Sequence, residues 1–364
     1  MKPASKLPLW SIVAPAVAWL LLALRWGDHH IAWGWAFDGL VVVGLIAAVL
    51  AAVFHAEVVA HRVGEPYGTL VLALAVTAIE VALIVSLMIS SGPAASGLAR
   101  DTVFASVMII LNGMVGLCLL SGGRRHGEQT FGLYGVSAAL ATLTAIAVLT
   151  LVLPNYTTTA SGPVYSNSQL TFIAVVSLVL YGTFVMFQTV KHRDYFLPVE
   201  SPSNEAVHAP PPSKSTAGLS AVLLTACLAA VVLLAKTLSP MLERAVADIG
   251  APPTLVGIII ATVVLLPESI AAYQAARANR LQTSLNLALG SALASIGLTI
   301  PAVSLVSLLT GWSLSLGIDA KSTVLLLLSI LVASLSLGTG RTTVMQGTVH
   351  LVIFAVYLFT AIVP

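Results

Sequence analysis

Charge is what this sequence has least of. Lysine and arginine number 16 and aspartate and glutamate 14 among 364 residues, so charged side chains make up 8% of the chain. An ordinary globular protein carries about a quarter, and the shortage excludes a cytosolic enzyme, a nucleic-acid-binding protein and a disordered chain. Cysteine is nearly absent too. Cys118 and Cys227 both sit inside apolar runs, so neither a disulfide framework nor a thiolate metal cluster follows. Hydrocarbon takes the place of charge: 58% of the residues are hydrophobic and the mean hydropathy is +1.00. At ~20 residues per membrane-spanning helix, this content supplies roughly ten or eleven spans.

Apolar runs recur at about 7–24, 36–56, 68–90, 102–121, 133–153, 168–189, 217–236, 255–274, 283–308, 322–337 and 347–363. They predict an all-α polytopic membrane protein with eleven transmembrane helices. The first run follows Lys2 and Lys6, yet no small-x-small cleavage site precedes Arg25, so it reads as a span and not as a secretory signal. Between Lys191 and Thr216 the apolar pattern stops. Pro198, Pro202, Pro210, Pro211 and Pro212 stand there among Ser, Asn and Glu, a composition that reads as a solvated linker. The predicted organisation is an N-terminal transmembrane helix (1–30), a first five-helix repeat (31–190), a cytoplasmic linker (191–216) and a second five-helix repeat (217–364). Five spans per repeat start the second repeat on the opposite side of the membrane, so the five-plus-five repeats are inverted.

Lysine and arginine set the orientation. With a cytoplasmic N-terminus, the cytoplasmic segments hold eleven: Lys2, Lys6, Arg62, Arg124, Arg125, Lys191, Arg193, Lys214, Arg277, Arg280 and Arg341. Five, namely Arg25, Arg100, Lys236, Arg244 and Lys321, fall on the other side. The expectation is a multi-pass protein of the cell's inner (plasma) membrane with an external C-terminus.

Most of the acidic residues lie in loops or near span ends, but Glu80 and Glu268 lie inside spans with apolar neighbours on both sides. A charge at that depth costs at least ~2.5 kcal/mol, so it persists where it faces protein, a partner or a water-filled path. A shift of 188 residues superposes Glu80 on Glu268, Thr69 on Gly257 and Ala73 on Ala261. Small residues on the glutamate's side of each helix permit close packing there. The following span is polar on one side in both halves: Thr102, Ser106 and Gly113, with Asn112 elsewhere on that helix, and then Ser284, Ala288, Ser291, Ser295 and Thr299. Central ionisable residues in inverted repeats are the plan of secondary transporters. A cation channel and an intramembrane enzyme are the alternatives that would use the same carboxylates. No serine–histidine pair or aspartate-rich metal motif stands in the spans, and His350 reads as a packed polar residue.

The run from His55 through Glu57, His61, Arg62, Gly64, Glu65, Pro66, Tyr67 and Gly68 to Thr77-Ala78-Ile79-Glu80 resembles the bacterial calcium/proton antiporters of the ChaA type, in the calcium/cation antiporter superfamily. So do Leu265-Leu266-Pro267-Glu268, the run from Leu287 to Ser295, and Gly340-Arg341-Thr342. The resemblance implies exchange of calcium, sodium or potassium for protons by alternating access, with Glu80 and Glu268 as the acidic metal ligands. Thr77, Ser106, Asn112, Ser291 and Ser295 complete the candidate cation and proton site. Val76-Thr77 and Val264-Leu265 stand where the wider family has Gly-Asn before its glutamates, and Ser269 stands where it has His, so amide ligands are missing. No cofactor is expected beyond the transported ion, and the expected partners are inorganic cations, protons and the lipid bilayer, with no nucleic acid. The cluster of His55, Glu57, His61 and Arg62 reads as a solvated helix end, with proton entry or cation regulation as its functional alternative.

Overall fold

In hydrocarbon every backbone amide needs an internal partner, so long apolar runs fold as helices. The computed structural model describes residues 7–26, 34–64, 67–197 and 211–363. These form eleven helical segments: α1 (Leu9–Trp26), α2 (Gly34–Val63), α3 (Tyr67–Ser91), α4 (Leu98–His126), α5 (Leu133–Tyr156), α6 (Asn167–Lys191), α7 (Lys214–Asp248), α8 (Thr254–Arg277), α9 (Leu281–Thr310), α10 (Ala320–Ser336) and α11 (Val344–Ile362). Eight contain stretches long and apolar enough to cross a membrane, and α1, α3 and α10 contain shorter apolar stretches. Lys2, Lys6, Glu65, Pro66 and the middle of the expected linker, with Glu200 and Glu205, lie outside the described residues, as do the side chains of Thr69 and Ala73. The described ends of the expected linker are ordered. Residues Arg193–Phe196 form a 3-10 turn whose Phe196 is buried, and α7 already begins at Lys214.

Sequence supplies the helix ends. Ser166 caps α6 and Thr343 caps α11, each in a capping box closed by a glutamine three residues on, Gln169 and Gln346. Asp319 caps α10 by accepting from the Ser322 amide at 2.7 Å. Helix α4 carries a π turn over Ile109–Met114, one of the local widenings that often mark function.

The chain divides into two compact units, and each takes helices from both sides of the linker. One comprises residues 1–90 and 203–245 and the other 91–202 and 246–364. In the first, Leu22 of α1, Val49 and Ala52 of α2, Ile79 of α3 and Ala230, Val231 and Leu234 of α7 form a buried apolar core. Pro15 lies inside α1 and has no N–H, so the carbonyl of Ser11 loses its helical donor. His55 takes that place, its Nε2 donating to Ser11 O at 2.9 Å. Arg62 Nη1 donates to Pro212 O at 3.3 Å, so part of the expected helix-end cluster is engaged with protein.

In the second unit the loops gather at two ends. At one, Gln129 Nε2 donates to Ala276 O at 2.9 Å, Asn286 Nδ2 donates to Phe196 O at 2.6 Å, and β1 (Gln129–Thr130) pairs antiparallel with β2 (Arg341–Thr342). At the other, the Ser315 amide donates to Ser96 O at 3.0 Å and Asn155 Nδ2 to Ile318 O at 2.7 Å. Successive loops alternate between these ends, as helices that each cross once require. Arg124, Arg125, Lys191, Arg193, Arg277, Arg280 and Arg341 cluster at the first end, while Arg100 and Lys321 belong to the second.

Candidate functional site

Helix α4 is the centre of the second unit and packs against α8, α9 and α11. Glycine makes the closest approaches. A Cβ on Gly257 of α8 would stand 3.1 Å from the backbone of Asp101 and Thr102, and one on Gly347 of α11 would strike the backbone of Leu120. Helices α4 and α8 run side by side in the same direction, since Gly257 sits against Asp101 while His126 Nε2 donates to Arg277 O at 3.0 Å near their other ends.

This register places the expected residues. Glu268 lies eleven positions beyond Gly257, about 16 Å along the axis at 1.5 Å per residue, level with the π turn of α4. Ser106 lies six positions nearer the start of α4 than Asn112, ~9 Å along the axis. Ser106 and Ser295 are buried, while Ser291 and Glu268 are partly exposed. The three helices that carry these residues, α4, α8 and α9, pack on one another. Glu80, 3% exposed, and Thr77, one turn before it, belong to α3 in the first unit and are both buried.

Asn112 is committed elsewhere. Its Nδ2 donates to Ser329 Oγ at 2.8 Å, and its Oδ1 accepts from His350 Nδ1 at 3.3 Å. Ser336 Oγ donates to His350 Nε2 at 2.8 Å. A buried polar chain therefore joins α10, α4 and α11, with His350 as a packed, bonded group. Ser269 Oγ donates to its own helix at Leu265 O, 2.8 Å away.

The expected residue set omitted one oxygen. Pro267, inside α8 directly before Glu268, cannot donate to the carbonyl of Val263, which is left without its helical donor one turn back. The signal was in the sequence, because any proline within a helix frees the carbonyl four residues earlier. Thr299 Oγ1, fully buried on α9, likewise has no hydrogen-bond partner among the described residues. The second unit thus presents a carboxylate, buried hydroxyls and a carbonyl, all hard oxygen donors of the kind that alkali and alkaline-earth ions accept. Among the described residues no group of three or more His, Cys, Asp or Glu is arranged to hold a resident metal.

A model of the sodium/calcium exchanger protein family matches residues 31–190 and again 219–363. The chain belongs to this family. It is a multi-pass membrane protein that carries out secondary active cation exchange, and it is not an enzyme. The channel and intramembrane-enzyme readings fall away with that assignment. The family member is 48% identical over 363 residues to y4hA of Sinorhizobium fredii, named as an ionic transporter, covering 99% of this chain and 98% of that one. It is 35% identical over 352 residues to the sodium-potassium/proton antiporter ChaA of Escherichia coli, covering 96% and 95%. The solved structure of native YfkE has the same fold, with a TM-score of 0.72 at 16% identity, over 98% of this chain and 99% of that one.

Proposed function

We propose that this exchanger moves protons in one direction against sodium, potassium or calcium in the other, through Glu80 and Glu268. The observation that carries the reading is a pair of glutamates 188 residues apart, each inside an apolar helix, with hydroxyl or carbonyl oxygens on the same or packed helices. An ionised carboxylate holds a cation; a protonated one does not. Protons and cations therefore compete for the same oxygens, and the competition couples their movements. Alternating access of such a site to the two sides completes the exchange.

Calcium takes six to eight oxygens. This chain has Val76-Thr77 and Val264-Leu265 before its glutamates, so side-chain amides contribute nothing at these positions. That donor set favours sodium and potassium over calcium, in keeping with the activity named for the E. coli relative. The separate family matches to 31–190 and 219–363 support two five-helix repeats preceded by α1 and joined by the linker. The segregation of Lys and Arg supports an inner-membrane protein with cytoplasmic N-terminus and linker and external C-terminus. Protease cleavage of the linker from outside intact cells would overturn this orientation.

Everted vesicles holding a proton gradient test the function. Added sodium or potassium should dissipate the gradient at lower concentration than calcium does, and the response should require both glutamates. Cation flux without proton movement would reject the proposal.

A further inference from the structure

On the second unit, α4, α8 and α11 enclose an elongated groove of about 970 Å³. Ile109, Leu117, Ile270 and Phe354 give it apolar walls, and Arg125 and Arg277 stand at its end. Leu117 is 49% and Ile270 43% exposed, so the groove is open along its side. The two arginines lie in the last turns of parallel neighbours, α4 and α8, at the end of the unit where basic residues cluster. Neither takes part in an ion pair among the described residues. Glu128, the acid nearest in sequence to Arg125, pairs instead with Arg341. The guanidinium of Arg277 lies 5.8 Å from the centre of the Tyr273 ring, and its backbone carbonyl is held by His126.

We propose that this groove binds one anionic phospholipid, with an acyl chain along the apolar walls and the phosphate between the guanidiniums of Arg125 and Arg277. A guanidinium offers several donors in a fork that fits phosphate oxygens, and two such forks at the mouth of an apolar trough match a ligand that is anionic at one end and hydrocarbon at the other. Free phosphate would use the arginines and leave the trough unfilled. A transported cation would be repelled by the two guanidiniums, so their end of the groove suits an anion.

The test uses the purified full-length protein in mild detergent, offered phosphatidylglycerol and phosphatidylcholine with identical acyl chains in equal amounts and read by native mass spectrometry. The wild type should retain phosphatidylglycerol preferentially. At ~1 kcal/mol per basic residue near an anionic headgroup, Arg125→Gln and Arg277→Gln should each lower the preference about fivefold, and the double variant about twenty-five-fold. Ile270→Trp should fill the trough and reduce retention of both lipids with the arginines intact; it and the single variants carry the test if the double variant does not fold. Equal retention of the two lipids by the wild type, or an unchanged preference in the folded arginine variants, would overturn the proposal. So would displacement of phosphatidylglycerol by millimolar inorganic phosphate, which would mark a free-phosphate site.

Discussion

Helices α3 and α8 each place one glutamate in an apolar span, but they surround it differently. In α3, Glu80 is almost wholly buried and Thr77 supplies a hydroxyl one turn earlier on the same face. The matching position in α8 is Leu265, which has no polar atom in its side chain. There Pro267 leaves the carbonyl of Val263 without its helical donor. One half adds a side-chain oxygen and the other a backbone oxygen. The two glutamates therefore differ in the polar group one turn before them, a side-chain hydroxyl in α3 and a backbone carbonyl in α8.

The largest loss of exchange is expected at the carboxylates. Glu80→Gln and Glu268→Gln should each reduce proton-coupled exchange to background in everted vesicles while the protein remains inserted and folded. Glutamine keeps the volume but cannot release a proton or supply a negative charge. If the two acids were merely bonded structural groups, either glutamine variant would transport near the normal rate. Losses of similar size are expected from the two variants.

Smaller effects are expected at the supplementary oxygens. Pro267→Ala restores an N–H to the Val263 carbonyl, and Thr77→Val removes a hydroxyl without changing shape. At about 1–1.5 kcal/mol for one lost polar interaction, each should raise the cation concentration for half-maximal exchange roughly five- to tenfold. A normal concentration dependence for Pro267→Ala would show that the carbonyl plays no part. Ser106→Ala and Ser295→Ala should act in the same direction by about two- to fivefold, affecting affinity more than maximal rate, as expected when a neutral ligand is lost and the charges stay. Complete loss of transport in either would assign the serine a different role.

The smallest effect on exchange is expected at the bond between α1 and α2. His55→Leu leaves the Ser11 carbonyl without a donor beside Pro15, which should cost about 1–3 kcal/mol of stability. Thermal unfolding should shift downward while the cation dependence of exchange is unchanged. An altered cation dependence would place His55 in the transport path.

Much of this was legible from residue order. Hydropathy located the helical segments of the described residues, eight of them long and apolar enough to cross a membrane, and Glu80 and Glu268 stood out because charge is so rare inside those runs. Helix ends were less visible. Helix α7 runs to Asp248, beyond its apolar stretch, because a helix does not stop where hydrocarbon does. Partner choice was not legible at all: the spacing of Asn112 is compatible with an ion site, and only packing brings it to Ser329 and His350, more than two hundred positions away. The division into compact units was equally hidden, since it pairs helices across the linker and no local pattern records such pairing.

The glycine contact between α4 and α11 sets a timetable for biogenesis. Gly116 and Gly347 allow their helices to touch almost backbone to backbone, yet 231 positions separate them in the chain. At about 5–20 residues per second of synthesis, α4 enters the membrane roughly 10–45 s before its partner exists. Throughout that interval its bare glycine face must be covered by lipid or by the insertion machinery. Helix α11, synthesised long after α4, therefore closes this face, so a chain lacking α11 would leave the helix at the unit's centre without one of its walls.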